Sequence, residues 1–178
     1  MKLLVAYATT EGQARKTARH LTERAHGAGH TVEMLALADA DGVNPSGFDG
    51  VVLAASIHAS QYQSALGDFA AREAEALNRV PTLFVSVSLA AAGHSAEEWR
   101  SLDRILADFT KATGWTPGQV EQVAGAYRPG QYDIIRRFIM RQIISDRDPD
   151  ADPGQDKEYT DWDALDTAFD AWLASLSG

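Results

Sequence analysis

The chain has 178 residues and a formal net charge of −9, with 45% hydrophobic and 23% charged residues. That length suits one domain with a sizeable core, and the negative charge opposes electrostatic binding to nucleic acid. There is no cysteine, which excludes disulfides, thiolate metal sites, iron–sulfur ligation and cysteine nucleophiles; redox chemistry would have to come from a bound cofactor.

Lys2 to Ala8 (KLLVAYA) is a short apolar run ending in a turn, the pattern of a strand buried on both faces of a parallel sheet. It is too short for a signal-peptide core, and nowhere does an apolar run reach about 18 residues. A cytoplasmic location is therefore expected. Gln13 to His26 carries helical spacing, with Ala14, Ala18, Leu21 and Ala25 on one face, and Gly27 and Gly29 stop it. Thr31 to Leu37 alternates like a strand, and a polar, glycine-containing stretch follows to Asp49. Gly50 to Ser56 is the third apolar run.

Residues from Tyr62 to Leu77 predict a helix, and Pro81 precedes a fourth strand, Thr82 to Ser88. Ser95 and Glu98 are spaced as a capping box at the start of a helix that runs to Thr113. Gln119 to Tyr127 predicts a fifth strand, and Asp161 to Leu176 a closing helix. Strands alternating with helices predict an α/β fold, a doubly wound parallel sheet with right-handed crossovers and helices on both faces. The stretch from about 128 to 160 exceeds this plan: a helix over Asp133 to Ser145, then the acidic loop DRDPDADPGQD, inserted before the last helix.

In such a sheet a ligand sits beyond the carboxyl ends of the strands, which brings three loops into view. The first, Thr9 to Ala14, supplies hydroxyls from Thr9 and Thr10, a glycine at Gly12, and the amides of Gln13 and Ala14 at a helix start. That combination favours a phosphate. An ordinary helix start with a turn glycine reads equally well from these residues alone. The loop lacks the lysine of a Walker motif and the three glycines of a dinucleotide fingerprint. Glu11 is expected to turn its carboxylate to solvent and offer its amide. The second loop runs from Ile57 to Tyr62. The third is the stretch after the fourth strand, where Ser88, Leu89, Ala90, Ala91 and Gly93 permit close backbone approach. No metal-ligand pattern is found, and the acidic loop lacks the spacing of a calcium hand.

The ATTEGQA loop resembles the phosphate loop of flavodoxins, which hold a monophosphate on hydroxyls and amides without a metal. The resemblance implies FMN and a flavodoxin-like five-stranded sheet of order 2-1-3-4-5. The family pattern ends in Thr where this chain has Ala14, a loss of one hydrogen bond worth about 1 kcal/mol. AASIHASQYQSAL, AGAYRPGQYD and EYTDWDAL are together similar, nearly end to end, to a narrower group, the menaquinone-dependent protoporphyrinogen IX dehydrogenases. This second resemblance implies an FMN-dependent oxidoreductase acting on protoporphyrinogen IX, with menaquinone as acceptor. It also implies that Ser56, Ile57, His58 and Tyr62 border the flavin. No catalytic acid or base is nominated. Tyr62 and Tyr127 read equally as packed aromatic side chains, and Trp162 as a core anchor of the last helix. A basic segment that the relatives carry after the fourth strand is replaced here by AAAGHSAEEW.

The inserted helix sets Ile134, Ile135, Phe138, Ile139 and Ile143 across from Arg136, Arg137 and Arg141. Two readings stand. The arginines bind substrate carboxylates or hold residues 133–145 against the inner face of a membrane, or the isoleucines pack on the domain and the arginines pair with the acidic loop. A different class of function is an electron-transfer flavodoxin whose acidic face docks protein redox partners. Oligomeric state has no signature in the sequence.

Overall fold

Apolar runs with no polar face need cover on both sides, and the chain supplies it. The computed structural model describes residues 1–131 and 134–177, with the side chains of 131–139 and 142 outside the description. Its elements begin with β1 (Lys2–Ala8), α1 (Gln13–Gly27), β2 (Thr31–Ala36), β3 (Gly50–His58), β4 (Gln61–Tyr62), α2 (Ser64–Arg72) and α3 (Ala74–Leu77). They continue with β5 (Thr82–Ser88), α4 (Ala96–Thr113), β6 (Gln119–Ala124), β7 (Ala126–Tyr127), α5 (Ile134–Arg147), β8 (Lys157–Glu158) and α6 (Trp162–Ser175). The parallel strands stand in the order β2-β1-β3-β5-β6. Counted along the chain, that is the 2-1-3-4-5 order expected.

Alternation along the strands splits the core in two. Leu3, Val5, Val52, Ala54, Leu83 and Val85 face α1 and α6, where they meet Ala14, Ala18, Leu21, Ala25, Phe169 and Trp172. Leu4, Ala6, Val51, Leu53, Ala55 and Phe84 face the opposite way, toward Leu66, Phe69, Leu77 and Trp115. Both layers are fully desolvated, which is where most of the favourable free energy of folding arises. Arg24 clamps α1 to α6, donating to Asp166 at 2.6 Å and to Asp170 at 2.5 Å.

Three expectations are corrected. The single helix over Tyr62–Leu77 is a short antiparallel strand followed by two helices, because Tyr62 pairs with Ile57 and the chain interrupts its helix at Glu73. The strand over Gln119–Tyr127 divides at Gly125: β6 stays in the sheet, while β7 pairs antiparallel with β8. The predicted capping box is half formed. Ser95 Oγ accepts from the amide of Glu97 at 3.2 Å, but the Glu98 carboxylate receives Arg147 instead.

Candidate functional site

The first loop is built to leave donors open. Gly12 adopts φ +89°, a left-handed conformation that glycine takes without strain, and α1 begins there with no side-chain cap and no acidic residue in its first turn. The hydroxyl oxygen of Thr9 folds the loop by accepting from the Gly12 amide at 2.8 Å. The first helical hydrogen bond runs from the Lys16 amide to the Gly12 carbonyl, at 3.0 Å. The helix N-terminus thus faces outward with its partial positive charge unneutralised by its own side chains. Thr10 Oγ1 accepts from Gln63 Nε2 at 3.2 Å.

The loops at the carboxyl ends of the strands surround a cavity of about 650 Å³. Thr10, Glu11 and Gln13 line it from the first loop, Ser56, Ile57 and His58 from the second, and Ser88, Leu89 and Ala90 from the third. These nine of the expected residues come together. Thr9 and Gly12 shape the loop without lining the cavity. Ala14 is fully buried against the core on the α6 side.

The structure sets Tyr62, Ala91 and Gly93 back from the cavity. The Tyr62 hydroxyl shares a 2.9 Å hydrogen bond with Ser86, and the ring meets Phe84 and Phe109 edge-on at 5.2 and 5.0 Å. Burial pushes its phenol up to about 12, so it stays protonated through the neutral range. At Gly93 an added Cβ would lie 2.0 Å from Glu98 Oε2, so a side chain there would displace that carboxylate. Trp162 sits beside the core, its ring 4.6 Å from that of His20.

The second loop is a two-residue hairpin. His58 pairs with Gln61, and the two residues between them, Ala59 and Ser60, have φ of 48° and 60°. Such turns normally carry Asn-Gly, because side chains are strained in this region. Both residues line the cavity. Strain of this kind concentrates where a site fixes the backbone.

The long excursion walls one side of the cavity. Met140, Ile143 and Arg147 of α5 form one wall, with Gly125 and Ala126 at its root. Arg147 donates to the Leu89 carbonyl and to Glu98, so it ties α5 to the third loop. Ile144 and Tyr127 are buried together with Leu89, Met140 and Tyr159 packed on them. Tyr127 also donates to the Pro153 carbonyl at 2.9 Å. The side chains of Arg136 and Arg137 lie outside the described residues. Arg141 is exposed and does not line the cavity.

A polar cluster joins the excursion to the first loop. Gln13 is buried; its Nε2 donates to Glu158 Oε1 and Thr160 Oγ1, both at 2.9 Å, and its Oε1 accepts from Arg128 Nη2 at 3.0 Å. Lys16 donates to Glu158 at 2.5 Å. Burial pushes the Glu158 carboxyl up, but its bonds from Lys16 and Gln13 prevail and hold it below its ordinary range. Lys157 and Tyr159 both donate to Asp148 and hold that carboxyl low as well. Among the described residues no His, Asp and Glu group is arranged to hold a metal, and no helix is long and apolar enough to cross a membrane.

A flavodoxin domain family model matches residues 4–153. Protoporphyrinogen IX dehydrogenase [quinone] of Escherichia coli is 28% identical over 165 residues, covering 93% of this chain and 91% of that protein. The Leishmania major protein of the same name is 25% identical, covering 92% of this chain and 71% of its own length. Among solved structures, a short-chain flavodoxin associated with a PDU bacterial microcompartment superposes with a TM-score of 0.52 at 16% identity, covering 76% of this chain and 90% of that one. A mutant flavodoxin from Pseudomonas aeruginosa gives 0.51 at 12% identity, covering 82% and 95%. Those two likenesses are of fold.

Proposed function

This chain belongs to the flavodoxin domain family, and from that premise we propose that it is an FMN-dependent protoporphyrinogen IX dehydrogenase that passes electrons to a quinone, menaquinone in the leading reading. The fold and the domain indicate a flavin. Its phosphate fits the first loop, where α1 opens on uncapped amides and Gly12 keeps the approach clear. FMN when bound would supply the two-electron chemistry. The chain's own residues bind, orient and exclude water. Thr9 to Ala14 anchor the phosphate, Ser56 to His58 border one side of the ring, and Ser88 to Gly93 offer small residues and amides to the other.

The observation that carries the reading is the wall made by α5. Met140 and Ile143 give the cavity an apolar face, and Arg147, paired there with Glu98, is a guanidinium at its edge that an incoming carboxylate could share. That combination suits a flat apolar macrocycle bearing carboxylates. The relatives that align over nine-tenths of this chain carry the same activity in their names. The whole chain, excursion included, works here as one domain. We assign it to the cytoplasm, with residues 133–145 as the segment that would meet the membrane face where a quinone resides; Arg141 in that segment is exposed.

Anaerobic mixing of the FMN-loaded protein with protoporphyrinogen IX tests this, with flavin bleaching and porphyrin absorbance followed together and a menaquinone analogue added afterwards. Stoichiometric bleaching and recovery with quinone is the expected result. The net charge of −9 favours one other reading, an electron carrier that docks basic proteins. A flavin that binds but stays oxidised with protoporphyrinogen would move the assignment there.

A further inference from the structure

Arg128 lies where the chain has left the sheet, between β7 and the Pro129–Gln131 turn, yet its guanidinium returns to the first loop. Nη2 donates to Gln13 Oε1 at 3.0 Å across 115 positions of sequence. A methyl group placed on Gly12 would stand 3.9 Å from Nη1. The guanidinium therefore stands within van der Waals reach of the space above Gly12. Gln13 is gripped from its other end by Glu158 and Thr160, which fixes the amide that holds Arg128. The second cation nearby, Lys16, is turned to Glu158 at 2.5 Å. Glu11, on the same loop, also lines the cavity. Amides and hydroxyls at a helix start can hold a phosphate by themselves, and a cation within reach would add a charge-assisted contact.

We propose that Arg128 is a phosphate-binding residue of this site, its guanidinium pairing with the phosphate of FMN from the side opposite the helix N-terminus. The inference rests on the FMN reading given above and adds a residue to it. Arg128 takes over the polar contact that Ala14 cannot make, and its planar fork can hold Gln13 and a phosphate oxygen together. It also couples the cofactor to the excursion, because Arg128 lies on the chain between β7 and α5.

The test is titration of the flavin-free full-length protein with FMN and with riboflavin, which has the same ring and no phosphate, read by quenching of flavin fluorescence. Arg128→Gln is expected to weaken FMN binding about 10- to 100-fold, to leave riboflavin binding unchanged and to flatten the salt dependence of FMN binding. Arg128→Lys keeps the charge without the fork and should lose less, again for FMN alone. It carries the test if the Gln variant does not fold. Equal losses for both flavins would reduce Arg128 to a structural role, and no loss for either would remove it from the site; each overturns the proposal. A wild-type protein that takes neither flavin would overturn the cofactor reading and this inference together.

Discussion

The two halves of the site are held by different physics. The loops after β1, β3 and β5 stand on a sheet whose strands are buried on both faces, with Leu3, Leu4, Val52, Leu53, Leu83 and Phe84 fully desolvated. The excursion that covers them rests on a small cluster around Tyr127 and Ile144 and on polar ties that reach out to Leu89, Glu98 and Gln13. A flavin-holding frame therefore draws its stability from packing that has nothing to do with the ligand. The wall that would select a substrate is fastened to that frame by a few replaceable contacts.

The largest effect should come from the frame. Phe84 is fully buried among the rings of Tyr62, Phe109 and Trp115, so Phe84→Ala should cost about 3–5 kcal/mol in urea denaturation and take flavin binding with it. Ile144→Ala removes the same kind of buried volume from the excursion, a local loss of about 2–5 kcal/mol. Here limited proteolysis should rise within residues 128–160 while the urea midpoint of the sheet stays put. A single cooperative loss of both regions would break the comparison. Arg147→Ala should lower kcat/KM for protoporphyrinogen about tenfold, or about 1.4 kcal/mol, with a smaller loss of FMN affinity, since it loosens the α5 wall and the third loop and leaves the phosphate loop intact. Ser60→Gly should relieve the left-handed strain at the hairpin and raise stability by about 1 kcal/mol, read from the same urea curves.

The smallest effect is acid sensitivity. Glu158 and Asp148 both have folded carboxyls below their ordinary values of 4.5 and 3.8. Their contribution is complete above those values and is lost as the pH falls through the lower, folded ones. Protection against hydrogen exchange across β7, α5 and β8, taken relative to the intrinsic rate at each pH, should therefore fall in that acidic window before protection of the central strands does. The effect is modest because these groups are partly solvated.

The frame was legible because each of its elements has a local signature. Runs such as GVVLAAS and TLFVSVS announce buried parallel strands, and the spacing of Ala14, Ala18, Leu21 and Ala25 matches the buried face of α1. The site was half legible. Loops at strand ends can be located once the order of elements is known, and nine expected residues do meet at the cavity. What escaped were contacts with no local pattern. Gly125 reads as one residue within a strand, yet its amide donates to Ser88 and its carbonyl accepts from Tyr159 where the chain leaves the sheet. Met140 and Arg147 sit on a helix whose periodicity says which face is apolar but not which loop that face will meet. Tyr62 misled in the other direction: its place beside the second loop is right, but Phe84, Phe109 and Ser86 claim its side chain.

The Gln13 side chain has a consequence in time. Its partners lie 115, 145 and 147 positions further along the chain, so this loop is synthesised well before the residues that finish it. Loop closures over such separations are slow to form. A nascent chain with its sheet already assembled would still lack Glu158 and Thr160, and with them the grip that sets Gln13. Cofactor capture should therefore be a late step of biogenesis, following the docking of α6 and not the closure of the sheet.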